Sequence, residues 1–327
     1  GLIKIMSEYK LLYYNDLNEG NQAAFLASNL AAKAIQHYLR NNASSGYYLE
    51  YFGGTFKNRS PILFQNGQPV LMIPALCPDH ELHFANWPTE MVTILEGDLL
   101  HRATRIMINA LKTDANQSKR VLARLKHEPA VCKELHGHVQ KIEQEINGLV
   151  NCQLSEDTIK SCLRKSYKSL VNWGKKNLEL RVVDENQPDR ESFLKFKELH
   201  INASGRKTRS DLSWLHQFDI IKSGYGFLIA AHYNHDLVSG CFVMHDQKTA
   251  VYSVAASNRD LMSDGLPLNH YTLWGAIMNA RKKGCEAFIL GDVNEDNAKD
   301  DKAKNIALFK RGFATDISVS TILNICL

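Results

Sequence analysis

The chain has 327 residues, of which 44% are hydrophobic and 23% charged, proportions typical of a folded globular protein and unlike those of a disordered one. Its 39 basic and 35 acidic residues give a formal net charge of +4, too small to indicate a nucleic-acid-binding protein by itself. At roughly 150 residues per domain, this length predicts two domains. The seven cysteines form no C-x-x-C pair, and no apolar run reaches the roughly 18 residues of a membrane span, so we expect a cytoplasmic protein with reduced thiols.

The first half of the chain predicts a mixed sheet with helices before and after it. Helices are expected at residues 22–40, which carry a continuous apolar stripe, and at residues 96–111. Strands are expected at residues 11–17, 46–52, 61–64, 69–73 and 80–84. The Asn66-Gly67 pair favours a two-residue turn, so the runs on either side of it should pair as an antiparallel hairpin.

Residues 113–148 are highly charged and almost free of β-branched runs, which favours helices over strands. We expect Pro129 to divide this segment into two helices, the second of which ends at Gly148. The pattern is typical of a helical connector with one apolar stripe and one solvated face. A basic arm for RNA is the alternative, but the charges alternate in sign, which argues against it.

The second half predicts a regular order of elements. A helix at residues 155–174 leads into a strand at residues 178–183. Three strands, at residues 226–232, 237–245 and 250–256, are joined by tight turns and should form an antiparallel meander. A helix at residues 269–283, a strand at residues 287–290 and a short final helix complete a crossover. In such parallel arrangements ligands lie at the carboxyl ends of the strands.

A basic loop in this half, Arg206 to Arg209, follows a helix that ends at Ser204-Gly205 and precedes a helix capped by Ser210. The loop, which also contains Lys207, combines cationic side chains with the free N–H groups of a helix N-terminus. This geometry predicts an anion site for a phosphate or pyrophosphate. An exposed basic loop without a ligand is the alternative.

Three motifs in the second half resemble the GNAT acyltransferase superfamily, in particular its FemAB-like branch. They are S-N-R-D (257–260), L-W-G-A-I-M-N-A-R-K-K-G-C (273–285) and F-K-R-G-F (309–313). The resemblance covers the chain well from about residue 151 and the first half loosely. It implies an α/β (α+β) fold of two GNAT-like halves, each a mixed, largely antiparallel sheet flanked by helices. We therefore expect an N-terminal domain at 1–150, with its helical connector at 113–148, and a C-terminal acyltransferase domain at 151–327.

The resemblance also implies a site. In the GNAT fold two neighbouring strands splay apart and the arm of the acyl donor inserts between them. The chain has no G-x-S-x-G elbow for a nucleophilic serine, so direct transfer to an amine is expected, with backbone N–H groups of residues 255–257 as oxyanion donors. Lys310 matches the lysine that FemAB-type enzymes use to stabilise the transition state. The candidate catalytic residues are Lys310, His200 and His270, and the candidate substrate-binding residues are Arg206, Arg209, Asp292, Asn269 and Arg259.

The donor site departs from the common GNAT pattern. Members that bind coenzyme A carry R/Q-x-x-G-x-G/A, whereas this chain has Arg259 and then only Gly265, and Pro267 removes an N–H group from the same place. FemAB-type enzymes that use aminoacyl-tRNA also lack this cradle, although the long helical arm of some members is absent here. The co-substrate is therefore expected to be acyl-CoA or aminoacyl-tRNA, with no tightly bound cofactor.

Two hypotheses follow for function. The first is an N-acyltransferase that acts on an amine, such as a small-molecule or nucleotide-linked amino sugar or a cell-envelope precursor, with tRNA as a possible partner. The second is a non-catalytic module that binds a phosphorylated ligand or RNA. No metal is expected, because H-E-L-H (80–83) lacks the spacing of the zinc helix H-E-x-x-H and H-G-H (136–138) has no cysteine or carboxylate partner in a suitable pattern.

Overall fold

A computed structural model describes residues 9–118, 121–127 and 133–327. The helices of these residues are α1 (Glu19–Leu26), α2 (Asn29–Ile35), α3 (Asn42–Phe52), α4 (Gly97–Ser118), α5 (Lys133–His136), α6 (Glu156–Cys162), α7 (Lys165–Asn177), α8 (Arg190–Ser204), α9 (Asp211–Lys222), α10 (Arg259–Ser263), α11 (Leu268–Lys282) and α12 (Asp301–Arg311). The strands are β1 (Tyr9–Tyr13), β2 (Lys57–Asn58), β3 (Pro61–Gln65), β4 (Gln68–Met72), β5 (Leu76–Cys77), β6 (Glu81–Leu82), β7 (Val92–Thr93), β8 (Leu122–His127), β9 (Val139–Asn151), β10 (Glu179–Val183), β11 (Gly226–Tyr233), β12 (Asp236–His245), β13 (Thr249–Ser257), β14 (Ala287–Asp292) and β15 (Asp316–Cys326).

The chain forms two compact units. Unit 1 comprises the described residues of Gly1–Arg40, Tyr48–Glu145 and Ser320–Leu327, and unit 2 comprises Asn41–Tyr47 and Ile146–Val319. The domain boundary expected between residues 150 and 151 stays a prediction. None of the described helices combines the length and the apolar character that a membrane crossing requires.

Unit 1 contains a four-stranded antiparallel sheet in the order β1-β3-β4-β7. The predicted hairpin is confirmed, because β3 pairs with β4 and the turn residues Asn66 and Gly67 both have positive φ, at 50° and 78°. The predicted helix at residues 96–111 is also confirmed, as α4. Its buried residues Met107 and Leu111 pack in one core with Leu71 of the sheet.

Unit 2 contains a sheet in the order β10-β11-β12-β13-β14-β9, in which only β13 and β14 are parallel. The predicted meander is confirmed by β11, β12 and β13. Phe227 and Cys241 pack in a core with helices α7 and α11. Gly240 faces Phe196 of α8 instead, so helices cover both faces of the sheet.

Two local predictions in the first half were wrong. Residues 46–52 form the second part of helix α3 and not a strand. Their aromatic content favours a strand, but Tyr48 stacks on Phe52 at a helical spacing of four residues. The helix predicted at 22–40 is two helices: α1 ends at Leu26, and the Ser28 hydroxyl accepts the Ala31 N–H as the cap of α2, which ends at Ile35.

The helical connector predicted at 113–148 was also wrong for most of its length. Helix α4 extends to Ser118, but β8 and β9 occupy most of the described remainder, and α5 is a single turn. β9 is a strand because its last residues pair with β14, from Asn147 opposite Asp292 to Asn151 opposite Ala287. Such non-local pairing overrides the local helix pattern. Pro129, where a break between two helices was predicted, lies outside the described residues.

Candidate active site

The parallel strands β13 and β14 separate soon after they meet. They pair at only three positions, from Thr249 opposite Ala287 to Val251 opposite Ile289. β13 nevertheless continues to Ser257 and β14 to Asp292. Beyond these three positions, β13 continues to pair with β12 on its other side, and β14 continues to pair with β9. The two strands therefore leave an opening between their carboxyl ends, where the GNAT resemblance implies that the acyl donor enters.

Lys310 of helix α12 lies at the start of this opening. Its Nζ atom is 3.0 Å from the point where a Cβ atom on Gly291 would stand, and 5.6 Å from the centre of the Tyr252 ring. Tyr252 is the first residue of β13 after the paired segment, and Gly291 follows the paired segment of β14 by two residues. The ammonium group is thus placed between the two diverging strands.

The surroundings of Lys310 also affect its proton affinity. Burial lowers the pKa of this half-buried lysine, because the charged form is poorly solvated, and the negative charge of Asp292 acts in the opposite direction. Asp292 is exposed at the end of β14, where its Oδ1 atom accepts the Asn294 N–H at 2.8 Å. Its carboxylate lies at the same end of the sheet as Lys310, where it could also interact with an incoming amine.

Asn269 lies in the first turn of α11, close to the end of β13. Its Oδ1 atom accepts a hydrogen bond from the hydroxyl of Ser257, which also contacts the Ser239 hydroxyl at 2.8 Å. Because Oδ1 is used in this way, the amide Nδ2 of Asn269 remains as a donor, with only a weak contact of 3.8 Å to the Met262 sulfur. The serine pair thereby fixes the orientation of the amide.

The helix start beside Asn269 is poor in backbone donors. Pro267 is the N-cap residue of α11, and the Leu268 N–H donates to the Leu266 carbonyl. Gly265 has φ of 89°, and Arg259 is an exposed residue at the start of α10. Pro267 and the contact of Leu268 with Leu266 therefore remove two backbone donors from the start of α11.

His270 lies among aromatic rings. The centres of the Tyr167 and Phe309 rings are 4.6 and 5.2 Å from that of the imidazole, and Phe313 is 6.1 Å away. Burial, assisted by the charge of Arg164, lowers the pKa of His270 from 6.5 to about 4. Its buried Nδ1 atom has no hydrogen-bond partner within the described part of the chain. The packing of the partly buried imidazole against these three rings favours its neutral form.

His200 has different neighbours. Its ring contacts Trp214 edge-to-face at 5.3 Å, and burial, followed by the charge of Arg209, lowers its pKa. These neighbours include none of the residues around His270 or Lys310. The structure thus does not bring the two candidate histidines into one group.

The basic loop has the predicted geometry. Gly205 ends α8 with φ of 70°, and the Ser210 hydroxyl caps α9 by accepting the Ser213 N–H. Arg206 is exposed, whereas Lys207 pairs with Asp211 at 2.9 Å. The loop therefore presents at least one exposed guanidinium group directly before a helix N-terminus.

Arg209 is held by two aromatic residues that the sequence analysis did not single out. Its guanidinium carbon is 4.3 Å from the centre of the Trp214 ring, and its Nη1 donates to the Tyr47 hydroxyl at 2.6 Å. Both aromatic side chains are buried, at 1% and 6% exposure. Tyr47 lies 162 residues away in the chain, so no local signal could reveal it. Among the described contacts, those of this loop include neither Tyr252 nor Gly291, the neighbours of Lys310.

No group of three or more metal-ligating side chains is present in the described ranges 9–118, 121–127 and 133–327. In the H-E-L-H segment, the His83 Nε2 atom contacts the Glu81 carboxylate at 2.5 Å, and its Nδ1 atom accepts the Asn86 N–H. His83 is buried, and both of its ring nitrogens are used within unit 1. This pair has a structural role in the loop that follows β6.

The fold has known relatives among solved structures. The chain is similar to FemX, with 12% sequence identity, a TM-score of 0.63 and 97% of each chain covered. It is also similar to L-PGS from Bacillus licheniformis, with 12% identity and a TM-score of 0.57 over 94% of this chain and 92% of the other. A tandem GNAT protein from the clavulanic acid biosynthesis pathway has 11% identity and a TM-score of 0.52 over 98% of each chain. No family model matches the sequence, and no curated protein matches it.

These likenesses confirm the predicted fold class, because the chain aligns over nearly its whole length with a protein built of two GNAT units. The architecture is the tandem GNAT fold. Its similarity to FemX, again over nearly the whole chain, confirms the FemAB-like form of that fold, which the three motifs had predicted.

Proposed function

We propose that this protein is an acyltransferase that moves an acyl or aminoacyl group from an activated carrier directly to an amine. The observation that carries the proposal is the position of Lys310 at the opening between β13 and β14. The opening supplies a place for an extended donor arm. The lysine supplies a positive charge where the donor carbonyl would lie.

The reaction needs few groups from the protein. The amine nitrogen attacks the carbonyl carbon of the donor, and the carbonyl oxygen gains negative charge. The bond between the carbonyl carbon and the carrier then breaks. The carrier takes up the proton that the amine loses and leaves as a thiol or an alcohol. Backbone N–H groups of residues 255–257 and the ammonium of Lys310 would stabilise the charge that develops in this step. Burial strengthens such interactions, because the local dielectric constant is lower than that of water.

The donor is proposed to be acyl-CoA or aminoacyl-tRNA. Asn269, with its amide oriented by Ser257, offers a donor group to a phosphate or ribose at the start of α11. The shortage of N–H groups at Pro267 disfavours a pyrophosphate bound in the usual GNAT manner. This difference favours aminoacyl-tRNA as the donor.

The acceptor is proposed to carry a phosphate as well as an amine, as a nucleotide-linked amino sugar or a cell-envelope precursor does. Arg206 and Arg209 support this choice, because guanidinium groups bind phosphates in a bidentate manner. Stacking on Trp214 holds Arg209 in one orientation before a ligand arrives. Asp292 would interact with the amine.

A direct assay tests the proposal. The purified protein is incubated with acetyl-CoA or with a set of aminoacyl-tRNAs, and with amine acceptors that include nucleotide-linked amino sugars. Lys310→Ala should lower kcat/KM by more than tenfold, about 1.4 kcal/mol in transition-state stabilisation. Lys304→Ala, an exposed lysine of the same helix, is the matched control and should have no effect. Losses below tenfold for both Lys310→Ala and Arg206→Ala would reject the site.

A second candidate function is a non-catalytic module for a phosphorylated ligand or RNA. The separation of the basic loop from Lys310 favours it, because the loop could bind an anion without any reaction at the opening. This function predicts binding without turnover, and RNA binding that weakens steeply with salt. A thermal-shift series with acetyl-CoA, tRNA and nucleotide sugars, repeated at high salt, separates the two functions when it is combined with the assay above.

A further inference from the structure

Strand β13 contains an extra residue close to the point where it leaves β14. Tyr252 lies opposite Val243 of β12. The next position of the register pairs Val254 with Phe242, so Ser253 has no opposite residue on β12. Such an insertion is a β-bulge, and it shifts the alternation of side chains along the strand by one residue. The bulge follows directly after the three positions at which β13 pairs with β14.

The bulge decides which side of the sheet Tyr252 faces. Residues opposite each other in antiparallel strands share a face. Ala256 lies opposite Gly240, which faces helix α8. Val243, opposite Tyr252, is buried in the core on the other side of the sheet, and Tyr252 packs against that core. Without the extra residue, Tyr252 and Ala256 would lie on one face, since they are four residues apart. The bulge therefore turns the Tyr252 ring to the side from which Lys310 approaches.

Lys310 is anchored through its helix, and its side chain has a separate support. The rings of Phe309 and Phe313 pack against Tyr167 of α7, with centres 5.9 and 5.2 Å away, which fixes the last turn of α12. The four-carbon stem of a lysine is flexible, and the Lys310 ammonium has no hydrogen bond or ion pair with residues of the described ranges. Its Nζ atom instead lies over the Tyr252 ring, 5.6 Å from the centre, within the roughly 6 Å at which a cation and the negative face of a ring attract.

The ionisable groups around Lys310 leave this role to the ring. Those of the surrounding elements are Asp292 of β14, Cys241 of β12, His270 of α11, Arg164 at the start of α7, and Arg311 of α12 itself, which pairs with Glu295. The negative charge of Asp292 acts on the ammonium from an exposed position. Burial raises the pKa of the Tyr252 phenol and of the Cys241 thiol, so neither is an anion at neutral pH. Tyr252 thus acts through the face of its neutral ring.

We propose that Tyr252 is the positioning residue for Lys310, because the face of its ring holds the ammonium where β13 and β14 separate. The inference rests on the proposed function, in which Lys310 stabilises the charge on the carbonyl oxygen of the donor. Tyr252 acts through the lysine and not on the substrate, so kcat depends on it and the KM for the donor does not. Since a ring face attracts only the charged form of a lysine, it also favours the protonated state.

Graded fluorination of the ring at position 252 tests this contact. Fluorine withdraws negative charge from the ring face at nearly constant ring size, so Tyr252→Phe is compared with difluorinated and trifluorinated phenylalanine at the same position. NMR of protein with isotope-labelled lysine gives the pKa of Lys310, and Lys310→Arg assigns its signal. Tyr252→Phe should keep the wild-type pKa, and the trifluorinated ring should lower it by about 0.5–1, the effect of losing a cation–π contact. A ring that only shields the lysine from water predicts a constant pKa.

Tyr271 provides the matched control, because it is another partly buried tyrosine that packs against the same core. The same fluorinated residues at position 271 should leave the pKa of Lys310 unchanged. A pKa that stays constant across the series at position 252, or that falls equally in the series at position 271, overturns the proposal.

Kinetic measurements on the same variants separate this contact from the proposed function. At pH 7, kcat should fall by about threefold to tenfold from Tyr252→Phe to the trifluorinated ring, with an unchanged KM for the donor. A constant kcat alongside a falling pKa would support the contact and reject the proposed role of Lys310 in transfer. If no donor is turned over, the proposed function fails, and the pKa series still decides whether the ring holds the ammonium.

Discussion

The Nζ atom of Lys310 lies 3.0 Å from the point where a side chain on Gly291 would begin. Gly291 has φ of 101°, a conformation that residues with a Cβ atom rarely adopt. Glycine at this position therefore does two things. It allows the irregularity in the pairing of β14 with β9 between Ile289 and Gly291, and it leaves room for the ammonium group beside the strand.

Gly291→Ala should damage both functions of this glycine. The backbone conformation should cost about 1–3 kcal/mol in the free energy of unfolding. The methyl group should also displace Nζ, and because a misplacement of about 1 Å can reduce a rate up to about 100-fold, kcat/KM should fall by more than tenfold. Denaturant unfolding and steady-state kinetics measure the two effects.

Gly284→Ala is the matched control for this variant. Gly284 has φ of 91° after helix α11, and no atom lies within 4 Å of its Cβ position. The variant should lose a similar amount of stability and keep its kcat/KM. Equal kinetic losses in the two variants would show that the effect of Gly291→Ala comes from backbone strain and not from Lys310.

The second prediction concerns alkaline pH. If the cationic form of Lys310 is needed, kcat should fall as pH rises through its pKa, which burial places below the ordinary 10.5. The negative charge of Asp292 raises this pKa, so Asp292→Asn should lower it further and move the alkaline decline of kcat to lower pH. A pH series of kcat for the two proteins is the measurement. A decline that moves to higher pH in Asp292→Asn would contradict the assignment.

The third prediction concerns the anion site. Tyr47→Phe removes the hydroxyl that accepts from the Arg209 guanidinium and keeps the aromatic ring. Freed from this contact, Arg209 should be less well oriented, and the affinity for inorganic pyrophosphate should fall about threefold to tenfold, within the range expected for a hydrogen bond to a charged group. Isothermal titration calorimetry measures this change.

Tyr225→Phe is a suitable comparison, since the described hydrogen bonds and ring contacts of Arg209 involve Tyr47 and Trp214 and not Tyr225. It should bind pyrophosphate as the wild type does. Unchanged affinity in Tyr47→Phe would show that stacking on Trp214 is sufficient to position Arg209.

The fourth prediction concerns stability at acid pH. The pKa of His270 is about 4 in the folded protein and 6.5 ordinarily, so the unfolded chain binds a proton more readily between these values. The stability associated with the neutral imidazole is complete above pH 6.5 and is lost as pH falls toward 4. The loss should reach up to about 3 kcal/mol, since one pKa unit corresponds to about 1.36 kcal/mol.

His270→Phe should remove this part of the pH dependence, because phenylalanine fits the aromatic surroundings and does not titrate. Urea unfolding at several pH values between 7 and 4, for wild type and variant, provides the comparison. The other histidines contribute equally to the pH dependence of stability in both proteins, so their effects cancel in the comparison. An unchanged difference in stability between the two proteins across this range would show that His270 is not buried as a neutral group.

Much of the local structure could be predicted because it depends on neighbours in the chain. The Asn66-Gly67 turn and the Ser210 cap each follow from the conformational preferences of one or two residues. The helix predicted at residues 269–283, which is α11, was visible for the same reason, since a helical pattern is a property of one segment.

The errors arose where distant parts of the chain decide the outcome. β9 lies in a charged segment with few β-branched runs, which favoured a helix, yet its last five residues pair with β14, more than 130 residues later. Single-sequence patterns carry no information about such a partner.

The candidate site shows the same division. Lys310, Arg206 and Arg209 were found from motifs, because these residue types have a specific chemistry that a sequence displays. Tyr252, Gly291 and Tyr47 were not, since their contribution is a distance to a side chain elsewhere in the chain.

The sequence alone determined the order of the longer elements from β10 to α12, several of their caps and turns, and the residue types able to bind an anion or stabilise a developing charge. Only the tertiary structure decided that β13 and β14 separate after three paired positions, that Lys310 lies in the resulting opening, and that the two candidate histidines have different neighbours. The reason is physical. Local preferences act over a few residues, whereas strand pairing and side-chain packing depend on which distant segments meet.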